Sequence, residues 1–419
     1  MKTIAQLRWL ALLAVFALLV AACSSSDDSS DDTSGTETTA ATSTTVAALD
    51  PIRVPAINQE DGVTAFPDEG QAVKSIFDWY NAQGGLDGHP LQLDLCTTGD
   101  DPESTQSCAQ QIANDDSAAF VHSIMVPNSA SLFDVMANAE KPILAQNQFD
   151  IPDALQPDVS ASDPGLLPMA TTLMLYTLED LGLRNIGIVV SDDEVGRGTG
   201  EFLGFLVEEY GGTPAIISYD ASVADLLPVF SAADLDAIDG IIFVPTSVED
   251  CGPASQALKS LGFDKPILGG DACTAQTYVD SGNVEGWIFV VGTTLLIEGD
   301  AGRDQTIAIF DDYSGPPIGG LVAPASMGAY YVIGVLETAY ASAGGDITAM
   351  TPDVIRQAAL DYKGPFTLGP EVFSCPGVDP FVGLCNTSAT VVQLEGDKFN
   401  QLTDWYVVDV APYAALLEG

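Results

Sequence analysis

The sequence predicts an α/β fold made of two doubly wound parallel-sheet lobes joined by a hinge with several crossings. Apolar strand patterns alternate with amphipathic helix patterns over residues 51–291, and repeated strand–helix units predict parallel sheets covered on both faces. A polar, proline-rich passage at residues 150–164 divides this series into two lobes. Helices and a hairpin follow the second series, so we expect the chain to cross between the lobes more than once.

The first series predicts four strands and three helices. Its first helix pattern carries Val73, Ile76, Phe77 and Tyr80 on one face, which is typical of a helix packed on a sheet. The strands are expected at residues 52–57, 91–95, 118–121 and 142–145, and the helices at residues 68–83, 102–114 and 129–139.

The second series is longer and ends differently. Its helices are expected at residues 168–181, 198–210, 222–231 and 253–261, and its strands at residues 185–190, 215–219, 240–244, 266–269 and 287–291. Three further helices are expected at residues 304–313, 325–342 and 352–360. Residues 389–394 and 405–410 then predict an antiparallel hairpin with its turn at residues 395–397.

The amino terminus has the pattern of an export signal. Lys2 and Arg8 precede an apolar run at residues 10–20, and Ala21 and Ala22 lead into Cys23. This resembles a bacterial lipobox, which implies that residues 1–22 are a lipoprotein signal peptide and that Cys23 becomes attached to lipid. A plain secretory signal or an uncleaved anchor are the alternatives. Residues 23–49, mostly Ser, Thr, Asp and Ala, predict a disordered tether.

The charge balance excludes two classes of partner. The chain has 13 basic and 59 acidic residues, for a formal net charge of −46 at pH 7. Nucleic acid and anionic head groups repel such a body, so we expect no nucleic-acid partner and contact with a membrane only through the lipid anchor. A saline habitat would favour the same composition.

Six cysteines remain once Cys23 is assigned to lipid, and they fall in three sequential pairs. Outside the cytoplasm an even number of cysteines indicates disulfides, and we favour nearest-neighbour pairing among the many possible pairings because each bond would brace one loop. No C-x-x-C spacing occurs and only two histidines exist, so we expect no metal site and no redox site. The expected disulfides join Cys96 to Cys108, Cys251 to Cys273, and Cys375 to Cys385.

An ordered set of motifs resembles one family. Residues 81–90 read N-x-x-G-G-h-x-G-x-P before an apolar strand, and Asp101-Pro102 opens the next helix. Residues 189–198 resemble a strand followed by D-x-x-Y-G-x-G, and residues 251–273 resemble a disulfide-bearing subgroup. Together they resemble the leucine/isoleucine/valine-binding proteins, which are extracytoplasmic solute receptors of ABC importers with the type I periplasmic-binding-protein fold.

The resemblance implies two lobes joined by three crossings, a ligand held in the cleft between them, no cofactor, and an ABC permease with its ATPase subunits as partners. It places residues 50–165 and 294–375 in an amino-terminal lobe, and residues 166–293 and 376–419 in a carboxy-terminal lobe. Parallel sheets also bind ligands beyond the carboxyl ends of their strands, where helix amino termini present unpaired N–H groups.

Two loops of the first lobe match the family's ligand loops. Asn128 and Ser129 match a loop that holds a ligand carboxylate, although ordinary helix capping would use the same residue types. The family's Ser/Gly-rich stretch is here Met125-Val126-Pro127, which departs from an anion site. The second loop follows the fourth strand, where an exposed polar loop is the alternative to ligand contact. Its amides and aromatic ring belong to Gln146, Asn147, Gln148 and Phe149.

The second lobe and the first strand supply the remaining candidates. Asp271 matches a position where amino-acid-binding members place an acid against the ligand's ammonium, although it is also one acid among many. Asp192 ends a strand, and Val195 replaces an aromatic residue that is usual in the family, which predicts an apolar wall there. Thr246 is expected either to donate to the ligand or to cap a helix, and Glu60 is expected to line the cleft mouth.

Enzyme motifs are absent from the sequence. No H-E-x-x-H, G-x-S-x-G, Walker or G-x-G-x-x-G pattern occurs, so we expect no catalytic residues. The leading hypothesis is a lipid-anchored importer receptor for an amino acid or an amide. A sensory ligand-binding receptor is the alternative of the same class, and a secreted hydrolase with paired carboxylates is the alternative of another class.

Overall fold

A computed structural model describes residues 49–62, 65–148, 151–220, 222, 224–245, 247–370 and 373–417. The predicted signal peptide, tether and lipid-attached Cys23 lie outside these residues. Among the helices of the described ranges, none combines the length and apolar character needed to span a bilayer.

The first lobe contains a five-stranded sheet in the order β2-β1-β3-β4-β5, and all of its pairings are parallel. Such a sheet is covered on both faces, which fits the buried residues of its central strands β1, β3 and β4. Its elements are β1 (Ile52–Gln59), α1 (Pro67–Ala82), β2 (Leu91–Thr98), α2 (Pro102–Ala113), β3 (Val121–Ser123), α3 (Ser129–Asn138), β4 (Ile143–Ala145), α4 (Ile151–Ala154) and β5 (Val159–Ala161).

The joint between α1 and β2 contains the N-x-x-G-G-h-x-G-x-P motif of residues 81–90. Asn81 accepts a hydrogen bond from the Leu91 amide at 2.7 Å and donates to the Leu91 carbonyl at 2.8 Å. Gly85 has φ +62, and a Cβ there would lie 2.4 Å from the His89 carbonyl oxygen, so only glycine fits. The motif therefore fixes how the first helix meets the second strand.

His122 is a buried histidine inside the first sheet. It has no exposed surface, and its Nδ1 lies 2.8 Å from the Leu144 carbonyl oxygen. Burial lowers the pKa of His122 to about 4. The unfolded chain therefore binds more protons than the folded chain below pH ~6.5, and the stability that the neutral ring contributes is lost as the pH falls towards about 4.

We expect His122→Asn to flatten the acid side of the stability profile, because asparagine carries no titrating group. The natural protein should lose about 2 kcal/mol more free energy of unfolding than the variant between pH ~6.5 and pH ~4. Urea unfolding across this range measures the difference. Parallel profiles for the two proteins would show that His122 is not held neutral.

The second lobe contains an eight-stranded sheet, whose path is β12-β11-β10-β9-β8-β6-β7 with β13 paired to β11. Its elements before the return to the first lobe are α5 (Leu166–Met174), β6 (Asn185–Ser191), α6 (Glu194–Glu209), β7 (Thr213–Tyr219), α7 (Leu227–Ala232), β8 (Gly240–Phe243), α8 (Cys251–Ser260), β9 (Ile267–Gly269), α9 (Gln276–Asp280) and β10 (Ile288–Val291).

Three helices then return to the first lobe: α10 (Ala301–Tyr313), α11 (Val322–Ser342) and α12 (Pro352–Asp361). Their buried side chains share one core with β1 and α1, and Tyr330 and Tyr331 of α11 belong to it. The last strands, β11 (Ser388–Glu395), β12 (Lys398–Gln401) and β13 (Tyr406–Val407), lie in the second sheet. Element order gives three passages between sheets. The predicted fold class is confirmed, and the lobe limits stay a prediction.

The terminal hairpin differs from the prediction. A tight turn at Gly396, which has φ +68, directly follows β11 and leads into β12. Glu395 therefore pairs with Lys398. Only the first residues of β11 pair with β13. β12 is a polar edge strand with a single buried residue, and it therefore lacks the apolar alternation that identifies a strand in a sequence.

The predicted boundary passage at residues 150–164 contains structure that the sequence pattern did not indicate. α4 and β5 lie inside it, and β5 pairs with β4 as the edge of the first sheet. A strand of three residues is too short to show a period. A π-helical turn, Leu175–Asp180, likewise follows α5 where one continuous helix was expected.

The three predicted disulfides are formed. One bond joins β2 to α2, and the bond between Cys251 and Cys273 joins the start of α8 to the loop after β9. The third closes a loop of 10 residues before β11. Their Cα–Cα distances of 5.8, 5.5 and 4.6 Å lie within the usual range for disulfides.

Candidate functional site

Loops that follow parallel strands of both sheets line a shared cleft. A cavity of about 790 Å³ opens there between the loop after β1, the loops after β8 and β9, and the turn before α11. The Gly320 amide of that turn donates to the Thr274 hydroxyl at 2.9 Å, which joins the turn to the second lobe. Residues 65–69, 247–249, 275–277, 280–281 and 317–322 line the cavity.

Asp163 lies where the chain first leaves the first lobe, directly after β5. It is 3% exposed; its Oδ1 accepts from the Gly165 amide at 2.9 Å, and its Oδ2 has no hydrogen-bond partner among the described residues. A Cβ on Gly292 would lie 2.7 Å from Oδ2. Since Gly292 follows β10, the carboxylate of Asp163 reaches the second lobe.

Asp271 belongs to the second lobe and lies shortly after β9. Burial raises the pKa of Asp271 and the charge of Asp163 acts in the same direction, so that the pKa is about 8. Burial likewise raises the pKa of Asp163 to about 7. The two carboxyl groups thus lie close enough for their charges to interact, and they come from different lobes.

Two buried amide side chains near Asp163 have polar atoms without a hydrogen-bond partner among the described residues. Gln146 is 0% exposed, and neither of its amide atoms has a hydrogen-bond partner in the described part of the chain. Gln148 is 3% exposed and its Nε2 is equally unpaired within those ranges. The Asp163 amide donates to the Gln146 carbonyl at 2.9 Å, so these groups share one loop junction. Buried polar atoms without partners are costly, which makes them candidates for ligand contact.

In the loop predicted to hold a ligand carboxylate, the Asn128 and Ser129 side chains form hydrogen bonds with other groups of the protein. The Ser129 hydroxyl lies 3.0 Å from both carboxylate oxygens of Asp153, and both side chains are buried. Asn128 precedes α3 without capping it, and its amide instead donates to the Asp100 carbonyl at 3.0 Å. Neither side chain is left facing the cleft as an unpaired donor.

The other predicted site residues lie in varied surroundings. Asn147 is partly buried, and its Oδ1 accepts from the Gln148 amide at 2.6 Å. Glu60 directly follows β1, and its Oε1 accepts a hydrogen bond from the Asn58 side-chain amide at 3.1 Å. Asp192 is exposed and forms an ion pair with Arg197 at 3.0 Å. Phe149, Thr246 and the side chain of Val195 lie outside the described residues.

Sequence reasoning missed two buried acids. Asp163 lies in the passage that the sequence predicts to divide the lobes, and its only local signal is the Asp-Pro pair that it forms with Pro164. Glu69 lies in the first turn of α1 at the cavity wall, where it is 5% exposed. Burial raises the pKa of Glu69 to about 7, and the charges of Asp68 and Glu60 act in the same direction.

Comparisons with known proteins agree with this architecture. The model of the periplasmic binding protein family matches residues 51–376. No curated protein matches the chain in sequence.

Solved structures at low identity share the fold. A leucine binding protein from Thermotoga maritima is 14% identical, covers 84% of this chain and 98% of its own, and has a TM-score of 0.67. A fatty acid ABC transporter substrate-binding protein from Thermomonospora curvata is 15% identical, with 87% and 94% coverage and a TM-score of 0.71. A solute binding protein from R. palustris in complex with 4-hydroxybenzoate is 16% identical, with 85% and 97% coverage and a TM-score of 0.69.

These neighbours are named for three different solutes, so their similarity to this chain shows a shared fold and does not identify a ligand. The family match extends over most of the chain and covers both series of strands and helices. The resemblance predicted from the motifs is thereby confirmed. The chain belongs to the periplasmic binding protein family.

Proposed function

We propose that the protein is the extracytoplasmic solute-binding lipoprotein of an ABC importer, anchored to the membrane through Cys23. It captures a small polar solute of the amino acid or amide type between its lobes and delivers it to a permease driven by ATPase subunits. The observation that carries this proposal is a group of buried side chains with unpartnered polar atoms, Gln146, Gln148 and Asp163, where the chain leaves the first lobe.

The family assignment supports a location outside the cytoplasm, and the disulfides fit that compartment. The proposed ligand contacts come from loops of both lobes. A solute that bridges the loops would stabilise a closed arrangement, because closure satisfies polar groups that lack partners in the described structure. This function requires no covalent bond to be made or broken, and we assign no catalytic residue. The proposed contacts are Gln146, Asn147, Gln148, Phe149, Asp163, Asp192, Thr246 and Asp271.

Thermal unfolding of the purified protein should rise in the presence of a cognate solute. At about one hundred times its Kd, a solute adds about 2.7 kcal/mol to the free energy of unfolding. The screen should contain amino acids, amides, urea, aromatic acids, fatty acids and amines. Stabilisation by none of these classes would contradict the proposed function.

A further inference from the structure

The chain crosses between the two lobes three times, and the three crossings touch one another. The first crossing lies between β5 and α5, the second follows β10, and the third precedes β11. The side-chain amide of Asn386 in the third crossing donates to the Ser162 carbonyl of the first at 3.0 Å, and both residues are buried. A movement of one lobe against the other therefore changes contacts at this junction, which we call the hinge.

Asp163 of the first crossing lies against the backbone of the second. A Cβ added to Gly292, the first residue of the second crossing, would lie 2.7 Å from Oδ2 of Asp163 and 2.5 Å from Cδ of Pro164. Side-chain carbon atoms do not approach other atoms this closely, so the two crossings are packed as tightly as a glycine permits. Asp163 is 3% exposed, and its carboxyl group is therefore almost excluded from solvent in this arrangement.

The surroundings of Asp163 contain no compensating cation among the described residues. Gln146 and Gln148 in the loop after β4 and Asn386 in the third crossing are uncharged, and the second crossing presents its backbone. Asp271 in the loop after β9 is the ionisable group whose charge interacts with Asp163, and the two charges have the same sign. No described cation acts on the pKa of Asp163, whose Oδ2 receives no hydrogen bond within the described ranges.

We propose that Asp163 sets the arrangement of the lobes: the hinge stays packed while its carboxyl group is neutral, and ionisation moves the crossings apart so that water reaches the carboxylate. An ionised carboxylate that is buried without a cation is unfavourable, and hydration removes that cost. Asp163 acts here as a positioning residue, through the lobes and not through contact with a solute. The inference goes beyond the proposed function, because it concerns the ligand-free protein.

The direction of the response follows from the pKa of Asp163. Burial raises this pKa to about 7 in the packed hinge, whereas the pKa of a hydrated aspartate is ~3.8. The packed hinge therefore binds more protons between these two values, so it is favoured at low pH and loses population as the pH rises. The ratio of packed to separated molecules should fall about tenfold or more between pH ~5 and pH ~8.

Double electron–electron resonance between spin labels on the two lobes measures this ratio without a solute. Gln110→Cys on α2 and Glu208→Cys on α6 provide exposed label positions, one in each lobe. Cys23→Ser removes the remaining free thiol, because the other six cysteines form disulfides. We expect the distance distribution of the labelled protein to shift between pH ~5 and pH ~8. The same distribution at both pH values would overturn the inference.

Variants of the labelled protein assign the response to one residue. Asp163→Asn should keep the distribution of pH ~5 at both pH values, because asparagine retains an oxygen for the Gly165 amide and cannot ionise. Asp312→Asn removes an exposed acid of α10 and should respond to pH as the natural protein does. A natural response in Asp163→Asn would show that another group moves the lobes, and a lost response in Asp312→Asn would assign it to surface charge. The unfolding midpoint of each variant shows that it is folded.

Gly292→Ala tests the contact between the first two crossings by a change of shape. The added methyl group has no room between Pro164 and Asp163 in the packed hinge, so this variant should show the separated distribution at pH ~5 as well as at pH ~8. The packed distribution in Gly292→Ala at pH ~5 would contradict the assigned role of this contact.

The two proposals fail differently. If a solute stabilises the protein and the lobe distance does not respond to pH, the proposed function stands and the role of Asp163 in the hinge is wrong. If the lobes respond to pH as expected and no solute of any class stabilises the protein, the hinge assignment stands and the proposed function is wrong.

Discussion

Asp163→Asn should raise the free energy of unfolding of the ligand-free protein at pH ~8 by about 3 kcal/mol. The carboxyl group is buried, its Oδ2 has no hydrogen-bond partner in the described structure, and Asp271 lies close enough for their charges to interact. Asparagine keeps the shape and the oxygen that accepts from the Gly165 amide, and it removes the charge. A protein stabilised by this change would be one whose acid serves binding at the expense of stability.

The pH dependence of the free energy of unfolding shows whether the buried charge of Asp163 causes this effect. The pKa of Asp163 is about 7 in the folded protein and ~3.8 in the unfolded chain, so the folded protein binds more protons between these values. Its contribution to stability is fully present below about pH 4 and is lost as the pH rises to about 7. Asp271 and Glu69, with raised pKa values of about 8 and 7, act in the same direction. The variant should therefore have a shallower decline in stability from about pH 4 to about pH 8.

Urea unfolding of the natural protein and the variant across this range measures the difference. Asp312→Asn is the matched control, because this aspartate is exposed and should leave the profile unchanged. A variant that is less stable at pH ~8, or that follows the natural pH profile, would show that the Asp163 carboxylate has a favourable partner.

Replacing both Cys251 and Cys273 with alanine should lower the free energy of unfolding by about 3 kcal/mol. The bond closes a sequence separation of 22 residues, the longest of the three, and it joins α8 to the loop that carries Asp271. Loop-closure entropy in the unfolded chain increases with loop length, so this bond should stabilise most. The loss should also weaken solute binding, because Asp271 is two residues from the bridge.

The bond between Cys96 and Cys108 is the comparison, since it closes a separation of 12 residues in the other lobe. Its removal should cost about 0.5 kcal/mol less and should leave solute binding within about twofold. Chemical unfolding without reductant measures both costs. A smaller cost for the Cys251–Cys273 bond than for the Cys96–Cys108 bond would contradict the entropic account.

Local signals along the chain were sufficient for most of the architecture. The helix–strand joint at Asn81 and Gly85 and the pairing of adjacent cysteines follow from interactions between residues near in sequence. Where elements are short or exposed, the prediction was incomplete. β5 has three residues and β12 has one buried residue, so neither produces the apolar period from which strands are recognised.

The site depended on contacts that no local pattern contains. Asp163 and Asp271 are more than 100 residues apart, and the fold brings them close enough for their charges to interact. Ser129 had the residue type of an anion-binding loop, and only the packing of Asp153 against it showed that its hydroxyl is occupied. By itself the sequence determined the family, the lobes and the disulfides, because these arise from periodicity and nearby residues. The tertiary structure decided which polar groups lack partners, because burial and pairing are set by segments distant in the chain.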